Sequence, residues 1–210
     1  MRSPDPEYRA KWERILQAYS EAVAAPEEVI MLFQDEFTYY RKAEISNQWQ
    51  TKGAEIAKVI HKHGPNTKAR IAATLNAVTG KLTYLQRNKI GVDELAKFYQ
   101  QVRLAYPDAK VIYLVQDNWP VHKHDQLIEQ LETDGISPLF LPTYASWLNP
   151  IEKLWRWLRQ EVLHNHQLSH QFKSLRKKVV EWLEAFVDES IELLIYVGLL
   201  SKAEVDLYQY

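Results

Sequence analysis

The chain has 210 residues, a formal net charge of −1 and no cysteine. This length suits one domain with a sizeable core, and the absence of cysteine excludes disulfides, thiolate zinc sites and thiol nucleophiles. Near-neutrality argues against a free-standing sequence-specific DNA-binding module, because such modules are usually clearly basic. No apolar stretch approaches the roughly 18 residues of a membrane span, so we expect no membrane contact. The absence of cysteine favours a cytoplasmic location.

Apolar periodicity predicts an antiparallel start followed by alternating helices and strands. In chain order the predicted elements are a helix over 7–24, a buried strand over 28–34, an extended segment over 38–44 paired with it, a hairpin of strands 70–78 and 82–87, a helix over 93–106, a strand over 111–116, a helix over 121–134, a strand over 136–141, a helix opening at Asn149-Pro150, and helical structure over 168–206. This order indicates an α/β fold with one mixed sheet flanked by helices.

Two strand segments carry the same pattern of five apolar residues, Gln and Asp. They are VIMLFQDE at 29–36 and VIYLVQDN at 111–118. Ligands bind at the carboxyl ends of such strands. If the strands are neighbours, Asp35 and Asp117 lie close together and repel unless a cation compensates. Oxygen ligands of this type suit Mg²⁺ or Mn²⁺. The alternative is that each aspartate caps a local turn.

Glu152 also has two interpretations. Asn149, Pro150 and Glu152 match a helix start, with Asn at the N-cap, Pro at the first position and Glu at the third. However, 34 residues separate Asp117 from Glu152, and a helix, a strand and a loop in that interval would return the new helix to the strand that precedes Asp117. The two roles are compatible with each other.

Three motifs together resemble a known family. QDE at 34–36, QDNWPVH at 116–122 and LPTYASWLNPIEKLWRWLR at 141–159 are similar to motifs of the DDE transposases of the mariner superfamily, in their bacterial insertion-sequence branch (DDE superfamily endonucleases). The resemblance spans about 27–165, and the 34-residue gap is typical of this branch. The sequence departs from the family at Ala145-Ser146-Trp147, where a Ser-Pro pair is common.

The resemblance implies a ribonuclease-H-like, retroviral-integrase-like fold with Asp35, Asp117 and Glu152 as catalytic, metal-binding residues. It implies two Mg²⁺ or Mn²⁺ ions per site, DNA strand cleavage at element ends and strand transfer into target DNA. The protein would act in the bacterial cytoplasm at the nucleoid. The corresponding division is an N-terminal helix and linker (1–26), a catalytic domain (27–165) and a helical extension of the same domain (166–210).

Further residues are weaker candidates. Those expected to support the carboxylates or contact DNA are Glu36, Asn118, His122, Asn149, Lys153 and Arg156. His122 also suits a purely structural role. Aromatic residues that either stack on flipped bases or belong to the core are Tyr144, Trp147, Trp155 and Trp157. The basic residues Lys173, Arg176, Lys177 and Lys178 either face solvent or follow phosphates. His61 and His63 are also candidate metal ligands.

The expected partners are DNA, as terminal repeats and as target, and a second copy of the chain in the active complex. Family members carry helix-turn-helix modules before the catalytic domain, and only about 27 residues precede the first predicted strand. We therefore expect a helix-turn-helix segment encoded upstream, as in a frameshifted element, or a remnant of a decayed one. Two alternatives remain: a nuclease of the same fold without strand joining, and a non-catalytic DNA- or protein-binding module.

Overall fold

The computed structural model describes residues 3–47, 59 and 64–201. The elements in chain order are α1 (Tyr8–Ala24), β1 (Val29–Tyr40), β2 (Lys68–Asn76), β3 (Leu82–Arg87), α2 (Val92–Ala105), β4 (Val111–Gln116), a 3₁₀ turn (Pro120–Lys123), α3 (Asp125–Thr133), β5 (Ile136–Phe140), a 3₁₀ turn (Ser146–Leu148), α4 (Ile151–Leu158), a π-helical turn (Arg159–Leu163), α5 (Phe172–Glu184) and α6 (Ile191–Val197). The metal-ligand candidates His61 and His63, and the end of the predicted 168–206 helix, lie outside the described residues.

All five strands form one mixed sheet in the order β3-β2-β1-β4-β5. β2 pairs antiparallel with both β1 and β3, whereas β4 pairs parallel with both β1 and β5. The predicted mixed sheet, hairpin and parallel units are therefore confirmed. None of the helices in the described ranges is long and apolar enough to cross a membrane.

Both faces of the sheet are covered, which explains why β1 begins as an unbroken apolar run. Met31 and Phe33 belong to a core shared with α1, α4, α5 and α6. Leu32, between them, packs into a second core with α2 and α3. Alternate residues of β1 thus face two different helical layers, because successive side chains of a strand point to opposite faces.

The prediction of a separate strand over 38–44 is wrong. β1 runs without a break to Tyr40, and its second half pairs with β2 from Asp35 opposite Ala73 to Tyr40 opposite Lys68. The segment cannot pair with 28–34, because it continues the same strand. A local sequence pattern does not distinguish two short strands from one long strand that changes partners.

Two predicted helices are interrupted. The helix expected over 121–134 divides into the Pro120–Lys123 turn and α3. The segment expected to be helical throughout 168–206 contains, within the described residues, two helices with a non-helical break between them. The break after α5 packs on the hairpin: Leu82 donates its backbone N–H to the carbonyl of Phe186 (2.7 Å), and Ser190 donates to that of Thr79 (2.9 Å). These long-range bonds replace those that a continuous helix would make.

Gly80 tests this attachment of the C-terminal segment. Its φ is +73°, and a Cβ there would lie 2.3 Å from the carbonyl oxygen of Ser190, whereas Gly135 has φ +66° and no atom within 4 Å of its Cβ position. Gly135→Ala should cost about 1–2 kcal/mol of unfolding free energy for the left-handed backbone alone. Gly80→Ala should cost roughly 1–3 kcal/mol more, because backbone must shift. Urea titration measures both, and equal costs would contradict the packing described.

Candidate active site

The site begins where the pairing of β1 and β4 stops. The last registered pair is Phe33 with Val115, so Asp35 and Asp117 each stand two residues beyond it. β4 ends at Gln116, whereas β1 continues. Asp35 therefore lies within a strand rather than after one, which corrects the expected strand end and removes the turn-capping alternative for this residue.

Asp35 is a partly buried carboxylate on the face of the sheet that α4 covers. Its Oδ2 accepts a hydrogen bond from the indole N–H of Trp155 (2.9 Å). Burial, and then the charges of Glu152 and Glu36, raise the pKa of Asp35 to about 8, against the lowering effect of the Trp155 hydrogen bond. It lines an open cleft of about 470 Å³ with Glu36, Phe37, Thr38, Glu152, Trp155, Arg156 and Arg159.

Glu152 stands in the first turn of α4 and reaches the same cleft. The predicted Asn149 cap is wrong: the helix has no side-chain cap. Asn149 instead donates its side-chain N–H to the carbonyl of Gln34 (3.0 Å), which ties the start of α4 to β1 beside the cleft. The pKa of Glu152 is raised by partial burial, and the charge of Asp117 adds to this while nearby arginines oppose it.

Asp117 fulfils the local role that the sequence left open. Its Oδ1 accepts from the backbone N–H of Trp119 (2.8 Å), as in an aspartate-stabilised turn. The same oxygen lies 3.4 Å from Nε2 of His122, and the side chain is half exposed. The hydrogen bond with His122 lowers the pKa of Asp117, although partial burial opposes this. Both contacts use Oδ1 and leave Oδ2 for a ligand.

A buried histidine joins the first two motifs. Nε2 of His122 lies 3.4 Å from Glu36 Oε2 as well as from Asp117, and Nδ1 lies 3.4 Å from the Tyr99 hydroxyl, which donates to Gln116 (3.2 Å). Burial lowers the pKa of His122, but the two carboxylates outweigh it and raise the pKa to about 9. Neither Tyr99 nor Gln116 was predicted as a site residue, although the repeated Gln-Asp pair was a signal for Gln116.

The remaining candidates take different places. Asn118 donates to the carbonyl of Leu141 (2.6 Å), which joins the segment after β4 to the end of β5. Lys153 donates to the carbonyl of Val197 at the end of α6 (2.6 Å) and so holds a helix. Arg156 is exposed and lines the cleft.

The aromatic candidates divide between core and surface. Trp157 packs in an aromatic cluster with Trp182, Phe186 and Tyr196, and Trp155 stacks on Phe37 (5.1 Å between centroids). Tyr144 and Trp147 are exposed. Trp155 belongs to the core and also contacts a site residue. Its position three residues after Glu152, on the same face of the helix, is the signal that could have identified it.

Arg159 is a cleft residue that the sequence analysis did not select. Its guanidinium lies over the ring of Phe37 (5.0 Å) and its Nε is 3.8 Å from Glu44. Its position seven residues after Glu152 places it two helical turns further along the same face. The cleft therefore combines carboxylates with two arginine side chains, as a site for a phosphate and a cation would.

The donor set fits divalent ions. Within the described ranges, no three His, Asp or Glu side chains form a group compact enough to hold one ion. Nevertheless, Glu152 raises the pKa of Asp35, and Asp117 raises that of Glu152, so Glu152 lies within electrostatic range of each of the two aspartates. Repulsion among oxygen ligands is what a hard divalent cation offsets.

Comparison with known proteins defines the family. Residues 30–176 match the DDE superfamily endonuclease family, and the chain belongs to that family. It is 28% identical over 178 residues to the insertion element IS630 uncharacterized 39 kDa protein of Shigella sonnei, covering 84% of this chain and 50% of that protein. The chain thus spans about half the length of this relative.

Solved structures support the fold. The chain is similar to the crystal structure of the catalytic domain of Mos1 mariner transposase, with a TM-score of 0.57 and 13% identity over 98% of this chain and 96% of that one. It is also similar to the Mos1 strand transfer complex, with a TM-score of 0.64 and 13% identity over 99% of this chain and 61% of that one. The predicted ribonuclease-H-like fold with a helical C-terminal segment is therefore confirmed.

The raised pKa of Asp35 predicts a pH-dependent stability. Because the folded-state pKa of about 8 exceeds the ordinary value of 3.8, folding favours the protonated form, and stability falls as pH rises from about 4 to about 8. Asp35→Asn should remove this loss and raise the melting temperature at pH 8.5 by at least about 4 °C. Millimolar Mg²⁺ or Mn²⁺ should stabilise the wild type more at pH 8.5 than at pH 5.5. Calorimetry checks both results. If the melting temperatures of the wild type and Asp35→Asn differ by the same amount at pH 5.5 and pH 8.5, this explanation is contradicted.

Proposed function

We propose that this chain is the catalytic domain of a DNA transposase that cleaves DNA strands at element ends and joins them to target DNA. Attack by water would cut a phosphodiester bond, and attack by the freed 3′-hydroxyl on target DNA would join the strands. The observation that carries the proposal is the cleft lined by Asp35, Glu152 and two arginines. The charge of Asp117 also acts on Glu152. Membership of the DDE superfamily endonuclease family supports it.

We propose Asp35, Asp117 and Glu152 as the catalytic residues and as the ligands of two Mg²⁺ or Mn²⁺ ions. Such ions activate the attacking oxygen and stabilise the leaving one in an in-line displacement. Related Mos1 paired-end complexes have been crystallised with Mn and with Mg.

The other residues of the cleft would position these groups and the substrate. Trp155 holds one oxygen of Asp35, and His122 holds one oxygen of Asp117 while remaining paired with Glu36. Arg156 and Arg159 would neutralise the phosphate that enters the cleft. None of these roles requires a covalent bond between protein and DNA.

We extend the proposal to the division of the chain and its partners. The catalytic domain comprises 27–165, and 166–210 is an extension of it, as the shared core of α4, α5 and α6 supports. We propose that DNA targeting comes from a helix-turn-helix segment encoded upstream and that two copies act together. The Mos1 paired-end complex with the left transposon end supports a DNA substrate by analogy.

Carboxylate-to-amide substitutions test the catalytic assignment. Asp35→Asn, Asp117→Asn and Glu152→Gln should each reduce Mg²⁺-dependent cleavage of an oligonucleotide by at least about a hundredfold, because each removes a charge at nearly constant size. Glu161→Gln is the matched control on the adjoining turn, outside the cleft. Retained cleavage by Glu152→Gln would remove that residue from the site.

The same assay separates the alternatives. A labelled 3′-hydroxyl end offered with plasmid DNA should become joined to the plasmid if the chain is a transposase domain. Cleavage without joining would favour a nuclease of this fold. Neither reaction, in a protein that is folded and binds DNA, would favour a non-catalytic module.

A further inference from the structure

The N-terminal segment clamps the loop that follows β5. Asp5 Oδ2 accepts from the backbone N–H of Thr143 (2.7 Å) and from Lys11 Nζ (2.8 Å), and its side chain is 3% exposed. Ser3 donates its hydroxyl to the carbonyl of Thr143 (2.5 Å). Both backbone polar groups of Thr143 are therefore held by side chains 138 and 140 positions away. We refer to residues 3–7 as the strap.

The clamped residue forms part of a cavity beside Asp117. This second cavity, of about 570 Å³, is lined by Asp117, Asn118, Trp119, Thr143, Tyr144 and Ser146, among others. It does not include Asp35 or Glu152, which line the cleft described above. The strap therefore fixes one wall of a space that opens directly onto a proposed catalytic carboxylate.

Tyr144, directly after the clamped residue, is held in a costly conformation. Its φ is +54°, a left-handed value that bulky side chains avoid unless their surroundings impose it. Its ring is 81% exposed, so this conformation adds nothing to the core. On one side Thr143 is clamped by the strap, and on the other Ala145 donates its N–H to the carbonyl of Pro142 (3.1 Å). The strained backbone presents an aromatic ring to solvent beside Asp117.

A cation lies next to the cavity and is bonded to Asn118, one of its lining residues. Lys123 is exposed and donates to the side-chain oxygen of Asn118 (3.0 Å). Exposed aromatic rings stack on bases, and ammonium groups neutralise phosphates. A ring and an ammonium group beside a carboxylate site match a nucleic acid strand better than an apolar ligand or a protein helix.

We propose that Ser3 and Asp5 are positioning residues that hold the Thr143–Ser146 wall so that Tyr144 contacts the DNA strand bound at Asp117. The identity of the ligand rests on the proposed function. The strap itself rests on the contacts between residues 3–7 and Thr143. Because of the strap, the DNA affinity of the site would depend on residues that lie outside all three sequence motifs.

Three single variants test the inference in the full chain. Asp5→Ala removes the clamp, and Tyr144→Ala removes the ring. The control is Glu21→Ala, which removes a comparable contact between α1 and the sheet, since Glu21 accepts from the Tyr113 hydroxyl (2.8 Å). The measurements are the dissociation constant for a fluorescent DNA strand, the separate values of kcat and KM for cleavage, and hydrogen exchange of the backbone amides in the 142–148 loop, from Thr143 onwards.

Asp5→Ala should accelerate exchange in 142–148 while the strands keep their protection. It and Tyr144→Ala should each weaken DNA binding about tenfold, with the loss falling on KM rather than on kcat. The double variant should be little weaker than either single variant, because both act through one wall. Glu21→Ala should change neither exchange in the loop nor DNA binding. If Asp5→Ala does not fold, Ser3→Ala should show the same pattern at about threefold.

The inference would be overturned if Asp5→Ala left either the hydrogen exchange of the 142–148 loop or the DNA affinity unchanged. It would also be overturned if Glu21→Ala lost as much DNA affinity as Asp5→Ala. A wild-type chain that binds DNA but does not cleave it would refute the proposed function only, because the exchange and binding comparisons would still decide the role of the strap. A wild-type chain that binds no DNA would overturn both.

Discussion

The parallel pairing of β1 with β4 is the constraint on which the site depends. The register that joins Phe33 to Val115 brings the two Gln-Asp pairs to the same end of the two strands. Because β1 continues beyond the end of β4, Asp35 stays within a strand and faces α4. The next residue of the strand, Glu36, accepts a hydrogen bond from Gln34 and lies 3.4 Å from His122. Successive polar residues of β1 therefore point to opposite faces of the sheet.

Concentrating carboxylates at this edge costs stability, and the fold offsets part of that cost locally. The indole of Trp155 binds Asp35, and the buried imidazole of His122 lies between Glu36 and Asp117. Neither neutralises Glu152, whose charge raises the pKa of Asp35. Arg159 and Arg156 offset part of this repulsion by lowering the pKa of Glu152, and a cation in the cleft would relieve the rest. Strain of this kind is expected at a functional site rather than in a purely structural core.

Periodicity and the repeated Gln-Asp pattern were sufficient to predict the mixed sheet and the position of Asp35 and Asp117 at a common edge. They could not predict that β1 runs through 38–40, because a strand that changes partners has no local signature. The Asn149 cap was wrong: α4 has no side-chain cap, and the bond that Asn149 makes is a tertiary one, from its side-chain N–H to the carbonyl of Gln34. Likewise, the bond of Trp155 to Asp35 and the clamp of Asp5 on Thr143 join residues more than a hundred positions apart, which spacing arguments do not reach.

The central claim is that Asp35, Asp117 and Glu152 hold two metal ions in one site. Anomalous scattering from crystals grown with millimolar Mn²⁺ and a DNA strand tests it most directly. The account predicts two manganese peaks about 4 Å apart, with Asp35 in contact with at least one of them and with Asp117 and Glu152 completing the protein ligands. Manganese bound elsewhere, or a single ion that leaves Glu152 or Asp117 uncoordinated, would contradict it.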